Sequence, residues 1–359
     1  MNNKVMVAMS GGVDSSVAAA LLKERGYDVI GVTLKLFGNE DIGIEEQTRT
    51  CCALSDVEDA RRVAFRLDFP HYVFNFGDRF KAQVIKRFVE SYLDGRTPNP
   101  CIDCNRYIKF DELLNRAVSV GCDFIATGHY AISGYDEKSG RYLLSKSADR
   151  SKDQTYVLYN MTQEQLKRTL FPLGRLDKTT VRKMAEEKGL KNADKPDSQD
   201  ICFVKNGDYA SFIEDYTGKQ VKSGDFIDKN GNVLGRHKGM IHYTVGQRKG
   251  LGLSFGKPMY VVAKDTEKNT VTLGAEEELF SKSLVASDVN LISLERLEAP
   301  MKVTAKTRYS QREQPAVIHP MDAGKVFVEF EKPQRAVTPG QAVVFYDGDT
   351  VVGGGTIEE

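Results

Sequence analysis

The sequence predicts an α/β domain built on a doubly wound parallel sheet, followed by an all-β C-terminal part. A glycine-containing turn joins a buried apolar strand to a helix close to the N-terminus. Strand and helix patterns then alternate up to about residue 204, which is typical of a parallel sheet covered by helices on both faces. Beyond residue 205, short alternating runs are separated by Asn-Gly and Asp-Gly pairs, which are typical of hairpins.

Apolar periodicity gives the order of the elements. The α/β part is expected to contain strands at residues 4–8, 28–35, 71–74 and 122–127, and helices at 13–25, 55–67, 80–93 and 106–120. The β-rich part is expected to form small barrels from runs at 259–263, 270–273, 325–330 and 342–346. An acidic run at 276–278 suggests a border between two β modules. The predicted domains are therefore 1–204, a central β-rich domain at 205–278, and a C-terminal β-barrel at 279–359.

Length and composition exclude several classes of protein. The 359 residues exceed the roughly 250–300 at which a single core stops growing, so more than one domain is expected. The 41% hydrophobic and 28% charged residues do not fit a disordered or fibrous chain. No apolar run is long enough to span a membrane, so we expect a cytoplasmic protein with no membrane partner. Because 50 basic residues balance 50 acidic ones, any site for a polyanion must be a local patch.

The turn after the first strand has the features of an anion-binding loop. It reads Met9-Ser10-Gly11-Gly12-Val13-Asp14-Ser15. Glycines allow close approach of a ligand to the backbone, and the N–H groups at a helix start favour phosphate. The loop lacks the Gly-Lys-Ser/Thr ending of a Walker A motif and the spacing of a dinucleotide fingerprint. A well-capped helix start, with Asp14 complementing the helix dipole, is the structural alternative.

All six cysteines lie within the first 202 residues, which points to thiol chemistry or metal binding there. Cys101 and Cys104 occupy a proline-containing loop ahead of an expected helix, where a thiol is more readily ionised, so Cys104 is a candidate nucleophile. Cys202 follows a polar loop at 195–200, and Cys122 is expected to be buried. One alternative is that Cys202 is a buried strand residue and that Cys101 and Cys104 are an inert pair. Zinc is another, although only one C-x-x-C is present.

The phosphate loop and the two cysteine loops resemble those of the bacterial and mitochondrial tRNA 2-thiouridylases. Further matching stretches lie at 127–131, 152–156, 235–239, 243–251 and 338–341. The resemblance implies an adenine nucleotide α-hydrolase-like domain, a small central domain and a C-terminal β-barrel. This family uses ATP to replace the C2 oxygen of the wobble uridine, position 34 of tRNA, with sulfur. The resemblance also implies tRNAs for lysine, glutamate and glutamine as substrates, and a cysteine desulfurase or a persulfide carrier as the sulfur donor.

The resemblance assigns a nucleotide site to the first domain. The implied ATP contacts are Ala8, Met9, Ser10, Gly11, Gly12, Val13, Asp14, Ser15, Leu34 and Gly128. A carboxylate at Asp14 would repel a triphosphate, so Mg²⁺ is expected between the two. Leu34 reads equally well as a core residue of the second strand.

The resemblance also assigns the sulfur chemistry. Cys202 would carry the persulfide, Cys104 would be its partner, and Asn99, Pro100 and Cys101 would contact the target base. Cys104 and Cys202 would then form a disulfide, or Cys104 would first release sulfide from the persulfide. Many family members have an acidic residue where Cys101 stands. The three cysteines could instead hold an iron–sulfur cluster.

Three locally basic segments, at 145–188, 235–250 and 301–312, form a candidate phosphate track for tRNA. The resemblance implies tRNA contacts at His129, Lys152, Asp153, Gln154, Arg308, Tyr309 and Gln341. Tyr309 would stack on a base or else lie in the barrel core. The rival enzyme class is an ATP-pyrophosphatase amide ligase acting on a small substrate, which needs no paired cysteine loops. A non-enzymatic RNA-binding protein is the rival of a different class.

Overall fold

The computed structural model describes residues 3–38, 54–190, 192, 195 and 201–358. It divides into two compact units. Unit 1 comprises residues 1–85, 100–203 and 349–352, and unit 2 comprises residues 86–99, 204–348 and 353–359. Cys51, Cys52 and the loop residues 196–200 lie outside the described residues. Within the described part of the chain, no helix is long and apolar enough to cross a membrane.

Unit 1 is built on a five-stranded sheet in which every neighbouring pair is parallel. The strands, in spatial order, are β3 (His71–Asn75), β2 (Asp28–Lys35), β1 (Lys4–Ala8), β4 (Phe124–Ala126) and β7 (Thr169–Leu170). Val5, Met6 and Val7 of the central strand are at most 1% exposed. A strand covered on both faces reads as a continuous apolar run, which is why the sequence predicts it well.

Helices connect and cover these strands. The α-helices of unit 1 are α1 (Val13–Glu24), α2 (Leu54–Arg66), α3 (Gly77–Phe80), α5 (Pro100–Asp103), α6 (Leu113–Ser119), α7 (Gln163–Lys167) and α8 (Lys178–Glu187). Two π-helical stretches, Lys81–Ile85 and Cys104–Glu112, continue α3 and α5. Helices α1 and α8 pack with β1 in one apolar cluster, which includes Val17, Leu22 and Val181. The predicted parallel sheet covered by helices is confirmed.

A hairpin of β5 (Ala131–Asp136) and β6 (Arg141–Lys146) completes unit 1. It follows β4 directly, and Ser145 of β6 pairs with Thr350, which also belongs to unit 1. The hairpin therefore begins a few residues beyond the carboxyl end of β4.

Unit 2 contains a four-stranded sheet with α4 (Lys86–Leu93) and α9 (Tyr209–Thr217). In spatial order its strands are β10 (Tyr260–Asp265), β11 (Thr270–Gly274), β8 (Gly224–Ile227) and β9 (Val233–His237). Phe226, Val261 and Val271 are fully buried in its core. Aromatic side chains of the two helices pack together, with the Phe88 and Tyr209 rings 6.2 Å apart.

The rest of unit 2 forms a closed six-stranded antiparallel barrel, except that residues 350–352 of its last strand belong to unit 1. Its strands are β12 (Phe280–Leu291), β13 (Met301–Lys306), β14 (Gln314–Pro320), β15 (Val326–Arg335), β16 (Ala342–Asp347) and β17 (Thr350–Ile357). The spatial order is β12-β15-β14-β13-β16-β17, and pairing of β12 with residues 353–357 of β17 closes it. Closure leaves no exposed strand edge. The predicted C-terminal barrel is confirmed.

One boundary differs in a way that affects the site. The periodicity predicts a helix from about residue 106, whereas the helix begins at Pro100. Proline favours the first helical position, because its fixed φ suits a helix and its missing N–H would have no partner there. Cys101 therefore lies in the first helical turn, and Cys104 begins the π-helical stretch that follows. Cys122 is 4% exposed, as predicted.

His129, just beyond β4, is a buried titratable group. Its ring lies against Phe110 and Phe171, with centroids 5.9 and 6.3 Å away, and its Nδ1 is 2.7 Å from the Thr127 hydroxyl. Burial lowers the pKa of His129 well below its ordinary value, and the positive charge of Lys109 lowers it further. The folded protein therefore holds this imidazole neutral.

We expect this histidine to make unit 1 sensitive to acid. An unfolded histidine has a pKa of about 6.5, so below that pH the unfolded chain binds a proton that the folded chain refuses. The contribution of His129 to the free energy of unfolding is complete above pH 6.5. Below that pH it decreases by up to about 1.4 kcal/mol for each unit by which the pH is lowered. His129→Asn should reduce this slope between pH 5 and 6.5 in urea-unfolding measurements, with the other histidines unchanged in both proteins. Equal slopes for the two proteins would contradict the assignment.

Candidate active site

The turn between β1 and α1 forms a preorganised cradle. Thr33 on β2 donates a hydrogen bond to the Met9 carbonyl at 2.8 Å, and the Ser15 hydroxyl accepts from the Ser10 N–H at 3.2 Å and donates to the Gly12 carbonyl at 3.1 Å. Gly11 has φ +73°, and a Cβ there would overlap the backbone of Asp56. The first N–H groups of a helix have no intrahelical partner, so they can bind an anion.

Gly128 brings the carboxyl end of β4 against this cradle. A Cβ on Gly128 would lie 2.7 Å from the Ser15 nitrogen and 2.9 Å from the Asp14 carbonyl carbon. Only glycine allows the two backbones to approach this closely. Leu34, the penultimate residue of β2, is half-buried and pairs with Phe74 of β3.

Asp14 is bound by two side chains from other parts of unit 1. The Lys178 ammonium donates to both carboxylate oxygens at 2.8 Å, and the Tyr130 hydroxyl donates to one of them at 2.8 Å. The Lys178 side chain is 11% exposed and that of Asp14 is 29% exposed. In this structure the charge of the Asp14 carboxylate is therefore compensated by a lysine.

Lys178 is a functional candidate that the sequence analysis missed. It is the first residue of α8, directly after the N-cap Asp177. A cation at the positive end of a helix dipole is unfavourable, which is a readable sign that it has a partner elsewhere. The partner itself could not be read, because Asp14 lies 164 residues away in sequence.

A second tether holds the back of the loop. The amide of Asn192, which is 5% exposed, donates to the Gly11 carbonyl at 3.1 Å and to the Ser16 hydroxyl at 2.8 Å. The Lys195 ammonium binds the carboxylates of Asp56 and Asp59. Burial alone would lower the pKa of Lys195, but these two carboxylates raise it. The cradle is therefore tied to the part of the chain that precedes Cys202.

The three candidate cysteines belong to unit 1 and are thiols. Cys101 is exposed, whereas Cys104 and Cys202 are half-buried. Because the helix begins at Pro100, the favourable end of its dipole lies at Cys101, and Cys104 stands one turn further on. The dipole effect falls off within the first turn, so the argument for an activated Cys104 loses this support.

Two contacts relate the cysteine segments to the rest of the site. The ring of Phe203, next to Cys202, packs against that of Phe80 with centroids 5.7 Å apart. Helix α3, which ends at Phe80, packs against the π-helical stretch that begins with Cys104. Both cysteines are thus carried by segments that pack on the same short helix.

A hydrogen-bonded path connects the Cys104 segment to the cradle. The buried Asn105 amide donates to the Val157 carbonyl at 3.0 Å, which fixes the segment that contains Gln154. The Gln154 side chain accepts from the Tyr130 N–H at 2.9 Å, and Tyr130 in turn binds Asp14. Backbone segments between these residues complete the path.

The residues predicted to contact tRNA in this segment have internal roles. Gln154 holds Tyr130, and Asp153 accepts from the Ser147 N–H at 3.0 Å and from the Thr155 hydroxyl at 2.6 Å. Lys152, Asp153 and Gln154 are all half-buried. Asp153 and Gln154 therefore help to keep the segment folded.

The positions of the three candidate cysteines bear on the possible iron–sulfur cluster. Across the described residues, no three Cys, His, Asp or Glu side chains converge on one point. A cluster needs its thiolates to meet around the metal. Cys101, Cys104 and Cys202 therefore do not fit an iron–sulfur cluster in this arrangement.

In unit 2, two of the three predicted tRNA contacts bind groups of the protein itself, and the third is exposed. The Arg308 guanidinium donates to the Val245 and Ala336 carbonyls and to the Thr338 hydroxyl at 3.2, 2.9 and 2.8 Å. Tyr309 is 44% exposed, which excludes it from the barrel core, and the Lys306 ammonium lies 5.4 Å from its ring centroid. Gln341 donates to the Thr97 carbonyl at 2.8 Å.

Comparison with known proteins identifies the three parts. The family described as tRNA methyl transferase HUP domain matches residues 3–206, the tRNA methyl transferase PRC-barrel domain matches 210–275, and the aminomethyltransferase beta-barrel domain matches 281–357. A solved 4-thiouridine synthetase–RNA complex with bound ATP is 20% identical and covers 55% of this chain and 44% of its own. Its TM-score of 0.37 is too low to support an argument about this chain.

Relatives over the full length carry one name. The tRNA-specific 2-thiouridylase MnmA of Acetivibrio thermocellus is 60% identical over 99% of both chains. The protein of the same name from Clostridioides difficile is 55% identical over 100% of this chain and 99% of its own. With this identity over the whole length, and with the HUP, PRC-barrel and β-barrel parts all matched, the chain belongs to the tRNA-specific 2-thiouridylase family.

Proposed function

We propose that this protein is an ATP-dependent tRNA sulfurtransferase that converts the C2 carbonyl of the wobble uridine into a thiocarbonyl. Its full-length similarity to the 2-thiouridylases supports the proposal. The observation that carries it is the association, within unit 1, of an anion cradle with the Cys104 and Cys202 segments. We propose a catalytic domain at residues 1–204, a central β-rich domain at 205–278 and a tRNA-binding domain at 279–359.

The first step is adenylation. We infer that ATP lies along Ala8–Ser15, with Leu34 and Gly128 bordering the nucleotide. The uridine O2 attacks the α-phosphate, the bond to pyrophosphate breaks, and O2 becomes part of an AMP ester. The N–H groups at the start of α1 are suited to hold phosphate oxygens as charge develops on them.

Mg²⁺ fits the donor set if one carboxylate is sufficient. This ion is usually held by one or two carboxylates together with phosphate oxygens and waters, and Asp14 offers one carboxylate beside the cradle. When bound, Mg²⁺ would neutralise phosphate charge. Asp14 would hold it, and Lys178, now paired with Asp14, would be available to the phosphates.

The second step transfers sulfur. A persulfide on Cys202 attacks C2 through its terminal sulfur, and AMP leaves with O2. Cys104 thiolate then attacks the Cys202 sulfur, which releases the 2-thiouridine and forms a disulfide that an external thiol must reduce. In the second possible route, Cys104 first displaces sulfide from the persulfide, and sulfide attacks C2. In both routes Asn99, Pro100 and Cys101 contact the base, with His129 beside it.

The macromolecular partners follow from this chemistry. The substrates would be tRNAs for lysine, glutamate and glutamine, contacted through Lys152–Gln154, Arg308 and Tyr309. A cysteine desulfurase or persulfide carrier protein would load Cys202. An amide ligase would explain the cradle equally well, but it would not require two cysteine segments packed on the same helix.

Lys178 provides a test of the nucleotide site. In Lys178→Gln, the phosphates would lose the ammonium group that Lys178 offers beside the cradle, so ATP affinity should fall at least about tenfold, equivalent to about 1.4 kcal/mol. Isothermal titration with ATP and Mg²⁺ measures this directly. Lys183→Gln is the matched control, because Lys183 lies on the same helix and its side chain is 75% exposed. An unchanged affinity in Lys178→Gln would remove Lys178 from the site.

The cysteines separate the two enzyme classes. Cys104→Ala and Cys202→Ala should each lower 2-thiouridine formation by roughly 10³-fold or more, as expected when a nucleophile is removed, while ATP binding persists. Nucleoside mass analysis of the treated tRNA measures the product. Cys122→Ala is the control for a buried cysteine outside the site. Full thiolation by Cys202→Ala would refute the persulfide assignment, and tRNA-independent turnover with an amine would favour the amide ligase.

A further inference from the structure

A tight turn of the barrel domain holds the peptide that precedes Asn99. The turn comprises Thr338–Gln341, and all the residues concerned belong to unit 2. The Gln341 Nε2 donates to the Thr97 carbonyl at 2.8 Å and lies 3.5 Å from the Pro98 carbonyl. The Thr97 N–H donates to the Pro339 carbonyl at 2.9 Å. Both polar groups of the Thr97 backbone are therefore bound by this turn.

The contact is closely packed. Gly340 has φ +90°, and a Cβ there would lie 2.9 Å from both the Arg96 Cβ and the Thr97 nitrogen. Thr97 itself is only 9% exposed. A residue larger than glycine at position 340 would be strained by its backbone and would push the turn away from residues 96–97.

The barrel holds this turn rigidly. The Gly340 N–H donates to the Ile357 carbonyl and the Ile357 N–H donates to the Gln341 carbonyl, both at 2.8 Å. Arg308 donates to the Thr338 hydroxyl at 2.8 Å, and that hydroxyl donates to the Ala336 carbonyl. The turn is therefore fixed on both sides, by the end of β17 and by the Arg308 guanidinium.

Little conformational freedom is left in the chain between Thr97 and Asn99. Pro98 and Pro100 have φ fixed by their rings, and a residue before proline is restricted to extended conformations. Once the Thr97 backbone is held, only a few soft dihedrals at Pro98 separate it from Asn99. Fixing residues 96–98 therefore largely fixes the direction in which Asn99 leaves them.

We propose that Gln341 is a positioning residue, which acts through the Thr97–Pro98 backbone to orient Asn99. This proposal rests on the proposed function, in which Asn99 and Pro100 contact the target base. It differs from the expectation that Gln341 contacts tRNA, because its amide N–H groups are directed at main-chain carbonyls. Loss of the clamp should lower turnover and leave tRNA affinity unchanged, since a misplacement of about 1 Å can cost up to about 10²-fold in rate.

The test uses the full chain and two variants. Gln341→Glu keeps the size of the side chain and removes the donor, and Gly340→Ala separates the turn from residues 96–97 without changing a polar group. For both we expect kcat for 2-thiouridine formation to fall at least about tenfold, with the Kd for unmodified tRNA within twofold of the wild type. Hydrogen exchange of the Thr97 amide should become faster in both. Gln220→Glu, at an exposed position, and Gly231→Ala, at φ +84° with open space around it, are the matched controls.

Two results would overturn the proposal. Weaker tRNA binding with unchanged kcat would make Gln341 a tRNA contact, and lowered kcat with unchanged exchange at Thr97 would make it act without the clamp. Failure of the proposed function has a different signature, because the wild type itself would then form no 2-thiouridine. The exchange measurement would still report on the clamp in that case, since it needs no substrate.

Discussion

The ion pair between Asp14 and Lys178 is the constraint on which the arrangement of unit 1 depends. A partly buried carboxylate is costly unless it is paired and hydrogen-bonded, and here one ammonium and one phenol satisfy it. To satisfy the Asp14 carboxylate, Lys178 at the start of α8 and Tyr130 just beyond β4 must both reach the cradle. Removal of either partner would leave a charge with reduced compensation, which is more damaging than the absence of both.

This constraint also links the two halves of the proposed reaction. Tyr130 binds Asp14 through its hydroxyl and Gln154 through its backbone, and the segment after Gln154 binds Asn105 beside Cys104. Adenylation and sulfur transfer act on the same base in succession, so the cradle and the thiols must keep a fixed relation. A path of buried and partly buried hydrogen bonds provides it, because each group in the path loses a partner if the path shifts.

The sequence predicted the elements well where a single physical signal dominates. Strands β1 and β2 match the predicted bounds because buried parallel strands are continuous apolar runs. The start of α5 was misplaced because the polar residues after Pro100 mask the helical period, although the proline itself marks the first turn. The phosphate loop was readable because its chemistry is local. Lys178 was not, because its partner is brought to it only by the fold.

The same limit explains why polar residues were harder to interpret than apolar ones. Arg308 reads as one charge of a basic segment, yet its guanidinium binds main-chain carbonyls and holds a turn of the barrel. Arg308 is half-buried and its Nη2 is bound to these acceptors, whereas Lys302 and Arg312 are exposed. A phosphate track across 301–312 would therefore depend mainly on those two side chains and on the exposed Tyr309 ring beside Lys306. Weaker tRNA binding after removal of Arg308 would then partly reflect a displaced turn, so substitution at Lys302 or Arg312 isolates the electrostatic contribution.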